Sequence, residues 1–135
     1  MLTLVTGATG LLGNNVVRAL LDRGQAVRVF CLPEVDGRPL EGLDVERTEG
    51  DVQDLAAVRR ACRRVDRIVH AAAVVHIGWQ GIDCQRRVNV EGTRNVARAA
   101  REAGARLVHV STVDTLALGT RLRPADETRR SPVRR

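Results

Sequence analysis

The chain of 135 residues contains no tyrosine, a single phenylalanine and a single tryptophan, and every one of its 22 Lys+Arg residues is an arginine. A catalytic pair built from a phenol and a lysine therefore has no place in it. With Phe30 and Trp79 as the only large aromatics, there are too few rings to stack bases. The three cysteines, Cys31, Cys62 and Cys84, are odd in number, far apart and without C-x-x-C spacing. That argues against a disulfide framework or a metal site, and all three read as reduced structural thiols. No apolar run approaches the length of a membrane span, and Met1-Leu2-Thr3 lacks the basic flank, apolar stretch and cleavage site of a secretory leader. A soluble, cytoplasmic protein with no membrane partner is expected.

What is present is arginine and aliphatic residues. The net charge of +6 would suit a nucleic-acid surface, but the arginines are spread over expected helix surfaces, at Arg18, Arg23, Arg59, Arg60, Arg94, Arg98 and Arg101. Arg129, Arg130, Arg134 and Arg135 then crowd the C-terminal tail. Solvated helix faces explain this distribution better than a nucleic-acid partner, and none is expected. A hydrophobic fraction of 44% supplies one core in a chain of single-domain length.

The chain is organised around Thr6-Gly7-Ala8-Thr9-Gly10-Leu11-Leu12-Gly13. This stretch follows the apolar run Leu2 to Val5 and opens a helical pattern from Leu11 to Arg23, with Leu12, Val16, Ala19 and Leu20 on one face and Arg18 and Asp22 on the other. Gly7 permits the tight turn, Gly10 lets backbone approach a pyrophosphate, and Gly13 lets the helix pack close to the strand. The N–H groups of the new helix would face the phosphates. A structural strand-to-helix turn is the plain alternative. Gly24 ends the helix and a second strand, Ala26 to Leu32, follows at once, making a right-handed βαβ unit of a doubly wound α/β fold.

A third strand, Val45 to Thr48, leads to Gly50-Asp51-Val52, and Asp54 is the expected cap of a helix carrying Leu55, Val58 and Cys62. Strand four, Arg67 to His70, runs into Ala71-Ala72-Ala73. A long helix from Ile82 to Ala103 is expected to bury Val88, Val96, Ala99 and Ala103, and Gly104 closes it. Strand five, Leu107 to Val110, ends in Ser111-Thr112. His70, His76 and His109 have no ligand-like spacing and read as structural. Trp79 either roofs a substrate pocket or anchors the surface. The usual cofactor discriminator at the end of the second strand is missing: Phe30-Cys31-Leu32-Pro33-Glu34 offers neither an acid nor an arginine at the expected position. Glu34 or Asp36 could serve NAD and Arg38 could serve NADP, with a slight lean to NAD, while the plainer reading of each is an ordinary residue of the loop Pro33 to Pro39.

The glycine stretch, with Gly50-Asp51-Val52-Gln53-Asp54, His70-Ala71-Ala72-Ala73, Asn89-Val90-Glu91-Gly92-Thr93 and Val110-Ser111-Thr112 in that order, resembles the extended short-chain dehydrogenase/reductase family. From Val69 to Leu118 it is most similar to the NAD-dependent epimerase/dehydratases and 3β-hydroxysteroid dehydrogenase-like proteins. The resemblance implies a Rossmann-type parallel sheet of about five strands, order 3-2-1-4-5, with helices on both faces. Residues 1–127 would form an NAD(P)-binding domain, incomplete relative to the family, and 128–135 a basic tail. It further implies that Gly7, Thr9, Gly10, Leu11, Leu12 and Gly13 surround the pyrophosphate, that Asp51 bonds the adenine amino group, and that the Val52 N–H meets a ring nitrogen. Ala71, Ala72 and Ala73 would hold the nicotinamide-side ribose and phosphate, Asn89 would order backbone near the active site, and Thr112 would be the catalytic hydroxyl.

The chain departs from that family in one decisive respect: the Y-x-x-x-K pair, in which tyrosine transfers the proton, is absent. The resemblance then implies the cofactor-binding half of an oxidoreductase or epimerase, inactive alone. Two alternatives stand beside it, a split enzyme completed by another chain and a cofactor-sensing interaction module. Self-association through an uncovered side of the sheet is also expected.

Overall fold

The computed structural model describes residues 1–75, 81–112, 115 and 119–128. Five strands form one parallel sheet: β1 (Leu2–Thr6), β2 (Ala26–Cys31), β3 (Glu46–Glu49), β4 (Arg67–His70) and β5 (Arg106–His109), in spatial order β3-β2-β1-β4-β5. This is the expected order, with helices on both faces. The four helices are α1 (Leu11–Leu21), α2 (Leu55–Ala61), α3 (Ile82–Arg86) and α4 (Thr93–Ala103). A short 3-10 turn, Arg38–Leu40, lies between β2 and β3.

Side-chain alternation along the strands divides the interior into two layers. Leu4, Phe30 and Ile68 pack against Ala57, Val58 and Ala61 of α2 and Val96, Ala99 and Ala100 of α4. Their immediate neighbours Val5, Val29 and Val69 point the other way, toward Val16, Val17 and Leu20 of α1. Aliphatic residues at consecutive strand positions are what a sheet covered on both faces requires. Arg28 enters the α2 layer as well. It is 9% exposed, donates to the carbonyls of Ala61 and Arg63 at 2.7 Å each, and meets Glu46 at 2.9 Å. A cation there satisfies carbonyls that the end of α2 leaves without helical partners.

Several local expectations are corrected. On α1, Val16 and Leu20 of the expected face pack against the core while partly covered, Gly13 and Val17 are the fully buried residues, and Leu12 is half exposed. The first turn of that helix faces the open end of the sheet, where no layer can cover Leu11 or Leu12. In α4, Ala100 is buried where Ala103 was expected, because Ala103 sits in the last turn before Gly104 and is exposed. The expected continuous helix from Ile82 to Ala103 is interrupted: Arg87–Gly92 is wound as a π-helix between α3 and α4. Strands two, three and five are each shifted by about one residue at one or both ends. Asp54 does cap α2, accepting the Ala56 N–H at 2.8 Å, and Gly24 and Gly104 follow their helices at φ 66°. Trp79 and His76 lie outside the described residues, as does nearly all of the arginine-rich tail. No helix among the described residues is long and apolar enough to cross a membrane.

Candidate functional site

Strand order reverses between β1 and β4, the place where open α/β sheets bind ligands beyond their carboxyl ends. A groove of about 450 Å³ opens there, a size suited to a small-molecule site. It collects the ends of four strands and the segments after them: Gly7, Thr9 and Gly10 after β1, Cys31 at the end of β2 with Leu32 and Val35 beyond it, Gly50 to Gln53 after β3, and Ala71 to Val74 after β4.

The glycines divide the work of shaping its floor. Gly7 has φ 69°, and a β-carbon on it would stand 2.7 Å from backbone atoms of Ala71 and Ala72. Only glycine lets the two turns at the switch point touch. A β-carbon on Gly13 would overlap the Gly7 carbonyl, so α1 is seated directly on the turn that precedes it. Gly10 differs from both, since among the described residues a β-carbon on it would meet only the Gly7 oxygen, at 3.4 Å. Its open side faces the groove. Gly10 is also the N-cap of α1 and supplies no capping side chain, so the first N–H groups of the helix, those of Leu11, Leu12 and Gly13, lack intrahelical acceptors.

Further polar side chains hold the walls. Asn89, inside the π-helical stretch, accepts from the Val74 N–H and donates to the Val74 carbonyl, both at 2.8 Å. It therefore orders backbone that lines the groove, and the extra residue of the π turn accompanies its placement. Asn95 donates to the carbonyls of Val52 and Gln53 at 3.0 and 2.9 Å, fixing the turn that carries Asp51. The Asp51 carboxylate accepts from the backbone and side chain of Gln53 at 2.8 and 2.9 Å. At the β2 end, Arg38 is held by Asp36, with a closest approach of 2.6 Å. The same contacts keep the Asp36 carboxyl below its ordinary range. The two residues that would favour opposite cofactors thus occupy each other.

Beneath the floor lies a polar row, buried at Thr6 and His70 and exposed at His109. Thr6, His70 and His109 are in register across β1, β4 and β5. Nδ1 of His70 is 2.7 Å from the Thr6 hydroxyl, and Nε2 is 3.0 Å from the hydroxyl of Thr93 on α4. Burial first, and the stacked His109 ring second, lower the His70 pKa to about 4, so this imidazole is neutral at pH 7.

The structure brings Gly7, Thr9, Gly10, Asp51, Val52, Ala71, Ala72 and Ala73 to one groove, with Asn89 acting on it through Val74. Thr112 follows β5 at an exposed position and does not line the groove; its carbonyl accepts from the Thr115 N–H and hydroxyl. Sequence reasoning missed Asn95, Thr93, Gln53 and the groove-lining thiols. Cys84 is exposed, against the expectation of a structural thiol, because α3 has no buried residue. Among the described residues no cluster suited to a metal ion exists.

The groove has the features a dinucleotide needs: free helix N–H groups, a position open beside them, and a flat floor of alanines. Known proteins agree with this geometry. The chain is 49% identical over 113 residues to sterol demethylase protein B of Methylococcus capsulatus, covering 83% of this chain and 34% of that protein. It is 34% identical over 137 residues to a 3 beta-hydroxysteroid dehydrogenase/Delta 5-->4-isomerase of Mycobacterium tuberculosis, covering 93% and 35%. The crystal structure of Thermus thermophilus UDP-glucose 4-epimerase in complex with NAD superposes with a TM-score of 0.82 at 30% identity, covering 97% of this chain and 44% of that one. The chain thus spans well under half the length of these relatives. A model of the NAD dependent epimerase/dehydratase family matches residues 3–135, and the chain belongs to that family.

Proposed function

We propose that this chain is the dinucleotide-binding portion of an NAD-dependent oxidoreductase or epimerase of the extended short-chain dehydrogenase/reductase type, similar to the 3β-hydroxysteroid dehydrogenase-like branch. The observation that carries the reading is the contact of Gly7 with Ala71 and Ala72 at the switch point, beside the uncapped start of α1. The sterol demethylase and hydroxysteroid dehydrogenase names among the relatives support a hydroxylated, lipid-like substrate for the whole enzyme. Residues 1–127 form the binding unit and 128–135 a basic tail.

In this reading the N–H groups of Leu11, Leu12 and Gly13 bind the pyrophosphate, where the positive end of the helix favours negative charge. Gly10 leaves room for it. The Asp51 carboxylate and the Val52 N–H face the adenine, and Ala71 to Ala73 lie flat under the nicotinamide-side ribose. NAD is favoured over NADP because Asp36 already neutralises the one arginine of the β2 loop. The nicotinamide supplies hydride acceptance or donation when bound. Thr112 provides a hydroxyl to the substrate oxygen, but no tyrosine or lysine is present to move the coupled proton, so this chain by itself binds cofactor without ordinary turnover.

Retention of Thr112 and Asn89 favours, as a second reading, a complex in which another chain supplies the tyrosine and lysine. That chain, or a second copy of this one, would cover the β5 side of the sheet, where Val108 is 52% exposed. Titration with NADH and NADPH, followed by nicotinamide fluorescence and thermal shift, tests the main reading. Saturable binding tighter for NADH and abolished in Gly10→Asp is expected. No binding by a folded chain overturns it.

A further inference from the structure

The row of Thr6, His70 and Thr93 lies under the groove without lining it, yet it joins three elements that shape it. The His70 ring is fully buried. Its Nδ1 partner, the Thr6 hydroxyl, also accepts the N–H of Ala72 at 3.2 Å. Ala72 belongs to the β4 turn against which Gly7 is packed. On the other side Nε2 reaches Thr93, the first residue of α4, and the His70 carbonyl accepts the N–H of Val110 beyond β5 at 3.0 Å.

The hydrogens in this row have one complete arrangement. The Thr6 oxygen receives the Ala72 N–H, so its single proton is directed at Nδ1. Nδ1 must then be the unprotonated nitrogen, and Nε2 carries the proton it donates to Thr93. The opposite tautomer gives the Thr6 oxygen two donors and leaves its own buried hydrogen without a described acceptor, which is costly. The same holds for an imidazolium. Among the described residues, the groups facing the ring are Thr6 from β1, Thr93 from α4 and His109 from β5, of which His109 alone titrates.

We propose that His70 is a positioning residue for the dinucleotide groove: as the neutral Nε2–H tautomer it sets the Ala71–Ala72 turn at the height at which Gly7 and a cofactor share it, and ties that turn to α4. This rests on the dinucleotide reading above. The opposing view is a histidine that merely fills space among threonines. Filling space, however, requires neither nitrogen, and a phenyl ring would do it as well.

That difference defines the experiment. NADH affinity is measured by fluorescence for the parent chain, His70→Phe, Thr6→Val, Thr6→Ser and Thr93→Val, each checked for folding by circular dichroism. Exchange of the Ala72 amide and the imidazole tautomer are followed by NMR on the same proteins. The expected result is an Nε2–H tautomer in the parent, a dissociation constant raised roughly tenfold or more in folded His70→Phe and Thr6→Val, faster Ala72 exchange in both, and recovery of affinity in Thr6→Ser. A folded His70→Phe that binds NADH as the parent does, with Ala72 still protected, overturns the proposal. Should His70→Phe fail to fold, Thr93→Val, which removes only the Nε2 acceptor, decides in the same way. A parent that does not bind NADH overturns the dinucleotide reading instead, and the exchange of Ala72 in the variants then decides whether His70 sets the turn.

Discussion

A β-carbon on Gly13 would overlap the carbonyl oxygen of Gly7, whereas one on Gly10, three residues earlier, would lie 3.4 Å from the same atom. The two glycines therefore have separable consequences. Gly13→Ala must push α1 off its turn and is expected to cost about 1–3 kcal/mol, as overpacking does. Gly10→Ala should cost under about 1 kcal/mol of stability at a poorer N-cap and yet weaken NADH binding. Urea denaturation paired with NADH titration checks this. Equal losses of stability in the two variants would contradict it.

His70 should make the chain acid-sensitive over a defined window. Its pKa is lowered from 6.5 to about 4 in the native state, chiefly by burial. Above about pH 6.5 both native and unfolded chains hold it neutral and its contribution is complete. As pH falls toward 4 the unfolded chain takes up a proton that the native chain refuses, and stability is lost at about 1.4 kcal/mol per pH unit, roughly 3 kcal/mol in all. Glu102, held at about 2 by hydrogen bonds from Arg59 and Arg98, loses its contribution only below the ordinary glutamate range. Unfolding free energies of parent and His70→Phe between pH 7.5 and 4.5 should diverge in slope, and parallel curves would refute the assignment.

Arg28 is a buried cation whose removal uncovers two carbonyls at the end of α2 and leaves Glu46 alone. Arg28→Met keeps much of the volume and loses every hydrogen bond, so a destabilisation of about 2–4 kcal/mol is expected in urea melts. A loss within 0.5 kcal/mol of zero, the ordinary range for an exposed site, would contradict the role.

Asp36 and Arg38 are both exposed, and their pairing should contribute little to stability because water screens it. Its effect on ligand choice is expected to be larger. Asp36→Asn frees the guanidinium to meet a 2′-phosphate and should raise NADPH affinity relative to NADH by roughly fivefold, about 1 kcal/mol, with little change in melting temperature. An unchanged affinity ratio would place this pair outside the cofactor's reach.

The order and direction of the strands were legible because aliphatic runs, glycine punctuation and the cap at Asp54 are local signals. The same is true of Gly7, Asp51 and Ala71 to Ala73, which lie at strand ends and meet in the groove simply because the strands do. What could not be read depends on contacts distant in the chain. The sites of Asn95 on Val52, Arg28 on the end of α2 and His70 between Thr6 and Thr93 are set by how α2 and α4 pack on the sheet, and nothing in their local spacing announces it. The π-helical winding at Arg87–Gly92 was equally hidden, since apolar periodicity over the whole segment fits an ordinary helix. Leu12 likewise fits the apolar face of α1, but it is half exposed because the sheet ends beneath it.

The central claim, that this fold holds NAD across the β1/β4 switch point, is tested most directly by amide NMR of the 15N-labelled chain during titration with NAD. Saturable shifts concentrated at Gly7 to Gly13, Asp51, Val52 and Ala71 to Ala73, with the far ends of β1 and β4 unmoved, are the predicted result. Saturation without shifts in the glycine turn, or no shifts at millimolar NAD in a folded chain, would contradict it.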